Sequence, residues 1–133
     1  MTKPTKKILI VDDDADIRNA VRLAVEEQDF LDIVVTESAD VASGIMQMNA
    51  IHPDIVILDL HMPKKSGLDF MDIVHNDETF AETKVIMLTA DDTLDNIFRA
   101  EDKGIGAYHF LGKPFNISDL QALILSISLP IKN

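Results

Sequence analysis

At 133 residues with 47% hydrophobic side chains, the chain holds one domain (residues 1–133) around one core and has no room for a second. Lys+Arg 12 against Asp+Glu 23 leaves a net charge of -11, which repels nucleic acid and anionic lipid and so disfavours direct binding to either. The sequence has no cysteine, no signal-peptide apolar region and no apolar run of membrane length, which excludes disulfide scaffolds and thiolate metal sites and suits a reducing cytoplasm.

Residues 7–11 read as a first buried strand, and Asp12-Asp13-Asp14 follows directly at its carboxyl end. Asp14 is a natural N-cap for a helix in which Ile17, Ala20, Val21 and Ala24 fall at helical spacing and which ends near Gln28. Residues 33–36 form a short second strand, and a second helix from Ser38 or Ala39 runs to Ile51, with Ile45 and Met48 on its apolar side. His52-Pro53-Asp54 stops it. Ile55-Val56-Ile57-Leu58 then reads as a strand buried on both faces, with Asp59 at its carboxyl end. Pro63 lacks an N–H, so the chain must leave the sheet within a few residues of that carboxylate. A third helix extends from about Ser66 to His75 with Leu68, Met71 and Val74 inward, and residues 84–89 form a fourth buried strand. Asp92 or Thr93 caps a fourth helix running to Lys103, and Gly104 fits the position just past its end. Residues 107–111 make the fifth strand, and Lys113-Pro114-Phe115 turns the chain into a last helix. There Asn116 and Asp119 resemble a capping box, and Leu120, Leu123, Ile124 and Ile127 form the packing stripe. Five strands alternating with five helices predict an α/β fold: a parallel sheet with right-handed crossovers and helices on both faces.

In such a fold all strand carboxyl ends share one rim, where open α/β sheets bind ligands. Asp12 and Asp13 end the first strand, Asp59 the third and Thr89 the fourth, and Lys113 follows the fifth. Two unit charges about 4 Å apart repel by roughly 4 kcal/mol at an effective dielectric of about 20, so three clustered carboxylates call for a cation or raised pKa values. An all-oxygen donor set suits Mg²⁺ or Mn²⁺ and leaves room for waters and a phosphate. Such an ion would let one carboxylate attack a phosphoryl group and become an aspartyl phosphate. Asp59 stands alone on its strand and is the best nucleophile, which leaves Asp12 and Asp13 to hold the ion. Lys113 supplies a point charge for a phosphoryl oxygen, and the Thr89 hydroxyl donates to another. Taken singly, each residue has a plain structural role, such as a turn cap, a strand end or a surface ion pair worth at most about 1 kcal/mol. The coincidence of five at matching strand ends favours chemistry.

These residues resemble the receiver domain of bacterial two-component response regulators. The match spans nearly the whole chain: a strand followed by Asp12-Asp13, then Asp59-Leu60-x-Met62-Pro63 with Gly67, Leu88-Thr89-Ala90, and Lys113-Pro114-Phe115. The resemblance implies a flavodoxin-like doubly wound sheet in strand order 2-1-3-4-5. It implies that Asp59 accepts phosphate from a sensor histidine kinase or a histidine phosphotransfer protein. Asp13 and Asp59 would bind Mg²⁺ directly, Asp12 through a water, and the His61 backbone carbonyl would complete the protein's share. The Lys113–Pro114 bond would be cis. A switch would draw Thr89 toward the phosphoryl group as an aromatic on the fifth strand turns inward. Counting back from Lys113 places Phe110 there, whereas counting forward from Gly104 selects Tyr108; Phe110 is preferred because the Lys113 end is anchored by chemistry. His61 and Asp91 occupy the positions that modulate phosphoryl lifetime. By the same resemblance the chain is a switch rather than an enzyme, a monomer or a weak phosphorylation-dependent dimer. With no effector domain after the last helix, output is expected through a protein docking on the fourth helix, fifth strand and last helix.

Three rival readings stay open. A receiver cut from a longer regulator would have the same sequence features. A metal-dependent aspartyl-phosphate phosphohydrolase commonly carries a second acid two residues after its nucleophile, where this chain has His61, and it carries a cap segment that this chain lacks. A flavodoxin-like electron carrier needs a phosphate-binding loop after the first strand, where three acids would repel anions.

Overall fold

The computed structural model describes residues 3–59, 67–89 and 109–128, with Leu68 and Thr89 described in the backbone only. Its strands are β1 (Thr5–Val11), β2 (Asp32–Ser38), β3 (Ile55–Asp59), β4 (Lys84–Thr89) and β5 (His109–Gly112). Its helices are α1 (Ala15–Glu26), α2 (Val41–Ile51), α3 (Gly67–His75) and α4 (Ile117–Ser128), the last being the fifth helix expected from the sequence. A 3₁₀ turn covers Glu78–Phe80. The helix expected to end at Lys103, together with Gly104, His61, Asp91 and Tyr108, lies outside the described residues.

All five strands are parallel and pair in the order β2-β1-β3-β4-β5. Every residue of β3 is buried, as expected of a central strand covered on both faces. Burying a Val, Leu or Ile side chain is worth about 1.5–3 kcal/mol, so the four apolar residues 55–58 firmly anchor the strand that ends in Asp59. Alternation along the strands splits the core in two. Leu9, Val11, Val56, Leu58, Val85 and Met87 face α2 and α3 with Met48, Phe70 and Met71. Ile8, Ile10, Ile57, Ile86 and Leu88 face α1 and α4 with Val21, Val25, Leu120 and Ile124.

Helix boundaries follow from local chemistry. The Asp14 carboxylate accepts from the N–H groups of Asp16 and Ile17 and starts α1, as the sequence predicts. α2 begins later than expected, because Asp40 caps it through the Ser43 N–H at 2.7 Å while Ser38 closes β2. β2 is accordingly longer than residues 33–36, since its ladder to β1 runs from Asp32 to Ser38 through polar residues that show no strand signal by themselves. α1 ends at Glu26, short of Gln28, whose side-chain amide instead bonds Val25 and Leu31 and stitches the following turn. α2 stops at His52, which takes a left-handed conformation (φ 48°, ψ 69°) and whose N–H reaches the Met48 carbonyl. At α4 the Asn116 backbone carbonyl accepts from the N–H groups of Asp119 and Leu120, and its side-chain oxygen accepts from the Ser118 hydroxyl. The Lys113–Pro114 bond is cis. Among the described residues, no helix is long and apolar enough to cross a membrane.

Candidate functional site

The register of the sheet brings the sequence-distant polar residues together. Val11 pairs with Leu58, so Asp12, one residue on, stands beside Asp59. Asp59 pairs with Leu88, Thr89 with Gly112, and Lys113 follows immediately. The strand ends thus converge because parallel pairing keeps every carboxyl terminus on one rim.

Carboxylate oxygens of Asp12, Asp13 and Asp59 all lie within 4.8 Å of one another. Asp12 and Asp59 are buried, at 0% and 4% exposure, while Asp13 is exposed at the mouth. Lys113 reaches across the sheet, its Nζ standing 3.3 Å from Asp12 Oδ2 and 3.4 Å from Asp59 Oδ1. One ammonium therefore faces two of the three carboxylates. The other Asp12 oxygen, Oδ1, accepts from the Asp14 N–H at 2.9 Å. Burial above all holds the Asp12 carboxyl above the usual carboxylate range; the Asp59 charge adds to this, and the Asp14 N–H and Lys113 oppose it. The protein thus keeps acids together at an electrostatic cost that a hard divalent cation would relieve. The donor set fits such an ion, being, among the described residues, three carboxylates with no sulfur or imidazole, as Mg²⁺ and Mn²⁺ prefer.

Asp12, Asp13, Asp59 and Lys113 are therefore assembled at one place. Thr89 closes β4 on the same rim, its side chain outside description. Phe110 lies on β5 opposite Met87, half-buried against the α2 and α3 side of the core. Tyr108, His61 and Asp91 lie outside the described residues. Of the lone histidines, His52 and His75 are exposed, and the His52 ring rests 5.9 Å from that of Phe80.

Sequence reasoning missed Arg18. Its Nη1 donates to the backbone carbonyl of Asp12 at 2.7 Å, and its Nε donates to Glu37 at 3.1 Å. The available signal was its place one turn into α1, on the side that folds back toward the end of β1.

A family model described as response regulator receiver domain matches residues 8–125. The chain is 31% identical over 122 residues to the phosphate regulon transcriptional regulatory protein PhoB of Klebsiella pneumoniae, covering 92% of this chain and 51% of that protein. It is 34% identical over 122 residues to the transcriptional regulatory protein CpxR of Escherichia coli, covering 91% and 48%. The chain spans about half the length of these curated relatives. Among solved structures it superposes on the chemotaxis protein CheY4 of Vibrio cholerae with a TM-score of 0.81 at 25% identity, covering 92% of this chain and 98% of that one.

Proposed function

Because the chain belongs to the family of response regulator receiver domains, we propose that it is a Mg²⁺-dependent phosphoacceptor switch in which Asp59 takes a phosphoryl group from a histidine kinase or a phosphotransfer protein. The observation that carries this reading is the convergence of three carboxylates and the Lys113 ammonium where the parallel strands end. An Asp59 oxygen forms the new bond to phosphorus as the donor's phosphorus–nitrogen bond breaks, and the electron pair returns to the imidazole, which takes a proton. Lys113 lies 3.4 Å from Asp59 Oδ1, close enough to follow a phosphoryl oxygen once it arrives, and the Thr89 hydroxyl donates to another. Asp12, Asp13, Asp59 and the His61 carbonyl would hold a divalent cation, which would supply the positive charge that lets an anionic carboxylate approach an anionic phosphoryl group. Side chains at His61 and Asp91 set how long the group survives.

The output follows from the new charge. Thr89 and Phe110 move together, and the altered surface of β5 and α4, with the helix expected from the sequence before β5, engages a protein partner in the cytoplasm, with the receiver a monomer or a weak dimer. The half coverage of PhoB and CpxR supports a second reading, in which the partner is another part of a longer regulator.

Incubating the protein with Mg²⁺ and a small phosphodonor such as acetyl phosphate, then following intact mass and phosphate release, tests the reading. The expected result is one phosphoryl group per chain with slow release. Many fast turnovers would instead mark a phosphohydrolase, and no uptake would end the proposal.

A further inference from the structure

Building on the acidic rim as a cation-dependent phosphoacceptor site, we propose that Arg18 is its positioning residue: the guanidinium fixes the peptide joining Asp12 to Asp13 and so aims the acidic pair. Nη1 donates to the Asp12 carbonyl at 2.7 Å while Nε of the same group donates to Glu37 at 3.1 Å. Two bonds from one rigid plane set its orientation, which a single bond would leave free to swing. Glu37 is held in turn, because Arg22 reaches its other carboxylate oxygen at 2.8 Å through Nε and 2.7 Å through Nη2, and Arg22 also contacts Glu26 at 2.9 Å. A line of alternating charge therefore runs from α1, over the end of β2, to the Asp12 carbonyl. The Arg18 and Glu37 side chains are only 19% and 27% exposed, so water screens their pairing in part.

The Asp12 N–H is tied on its other side to the Ser38 carbonyl at 3.1 Å. Both main-chain polar groups of Asp12 are thus anchored, one to β2 and one to α1. The Asp12 carbonyl and the Asp13 N–H share one planar peptide, so a tilt of that plane swings the Asp13 Cα and everything beyond it. Asp13 is exposed, and packing does little to aim it. Groups outside the ligand set commonly tune metal sites in this way.

Charge and geometry make opposite predictions, which gives a clean test. A guanidinium near the rim repels a dication, so by charge alone its removal tightens Mg²⁺ binding. If Arg18 aims the pair, its removal weakens binding. Calorimetric titration with MgCl₂ at fixed pH and ionic strength, with thermal melts in EDTA as the check on folding, compares wild type, Arg18→Ala and Arg18→Lys. Positioning predicts a dissociation constant raised about tenfold in both variants, since lysine keeps the charge but cannot bridge the carbonyl and Glu37. Unchanged or tighter binding in Arg18→Ala, or wild-type binding in Arg18→Lys, would overturn the proposal. Should the alanine variant fail to melt cooperatively, the lysine variant decides alone. Wild-type protein that takes up no Mg²⁺ would defeat the phosphoacceptor reading itself, an outcome distinct from the other two.

Discussion

Asp12 shows what gathering carboxylates at the rim costs. Its carboxyl is held above the ordinary range chiefly by burial, so folding favours the protonated form. The corresponding stability is fully present below the ordinary carboxylate pKa of about 3.9 and is lost as pH rises through the higher folded value. In EDTA, wild-type stability relative to Asp12→Asn should therefore fall on going from about pH 4 toward neutrality, as read from urea midpoints across that window. Lys113 pulls the Asp12 pKa down, so Lys113→Ala should steepen the fall. A flat difference curve would show that burial does not strain this carboxylate. The residues that meet here were legible in the sequence because each directly follows or ends a strand whose apolar run is unmistakable. Arg18 and Glu37 were not, since an arginine on an amphipathic helix and a glutamate in a polar strand acquire meaning only when α1 is laid across the end of β2.

At the scale of elements, α2 illustrates how packing reaches the site. A Cβ built at Gly44 would lie 3.0 Å from Phe70 Cε2 and 3.2 and 3.3 Å from the Val11 methyl groups, so the helix sits close against α3 and β1 because residue 44 has no side chain. Gly44→Ala gains about 1 kcal/mol of helix propensity but incurs overpacking of about 1–3 kcal/mol. We expect a net destabilisation of about 1 kcal/mol in urea titrations, together with weaker Mg²⁺ binding, because Val11 directly precedes Asp12. A more stable variant would mean that Phe70 yields freely. Asp14→Ala should cost about 1 kcal/mol through its lost helix cap. The elements themselves were mostly foreseeable. Apolar runs gave β1, β3 and β4, and Asp14 gave the start of α1. The full length of β2 and the late start of α2 were hidden, because edge-strand pairing and the Asp40 cap depend on the neighbouring backbone more than on hydrophobic pattern.

For the whole molecule, alternation along the strands splits the core in two, parallel pairing places every strand's carboxyl end on one rim, and the strand order β2-β1-β3-β4-β5 is the one the family resemblance implies. Moving a switch from 1:99 to 99:1 takes about 5.5 kcal/mol of differential stabilisation. Charge-assisted hydrogen bonds give roughly 1.5–3 kcal/mol each, so Thr89 and Lys113 contacts to a phosphoryl group would supply much of it. Cation binding would act on a different balance, that between folded and unfolded chain. Mg²⁺ at about 100 times its dissociation constant should add about 2.7 kcal/mol to folding stability, visible as a raised melting temperature that Asp13→Ala largely abolishes; an unchanged melting point on adding Mg²⁺ would contradict the donor set.

The central claim is that Asp59 itself carries the phosphoryl group, and mapping the modified residue tests it most directly. Protein treated with acetyl phosphate and Mg²⁺ is reduced with borohydride, which converts an aspartyl phosphate to homoserine, and is then sequenced by tandem mass spectrometry. Homoserine is expected at position 59 only, with none formed when Mg²⁺ is chelated and none in Asp59→Asn. Modification at Asp12 or Asp13 in wild type, or undiminished phosphoryl uptake by Asp59→Asn, would contradict it.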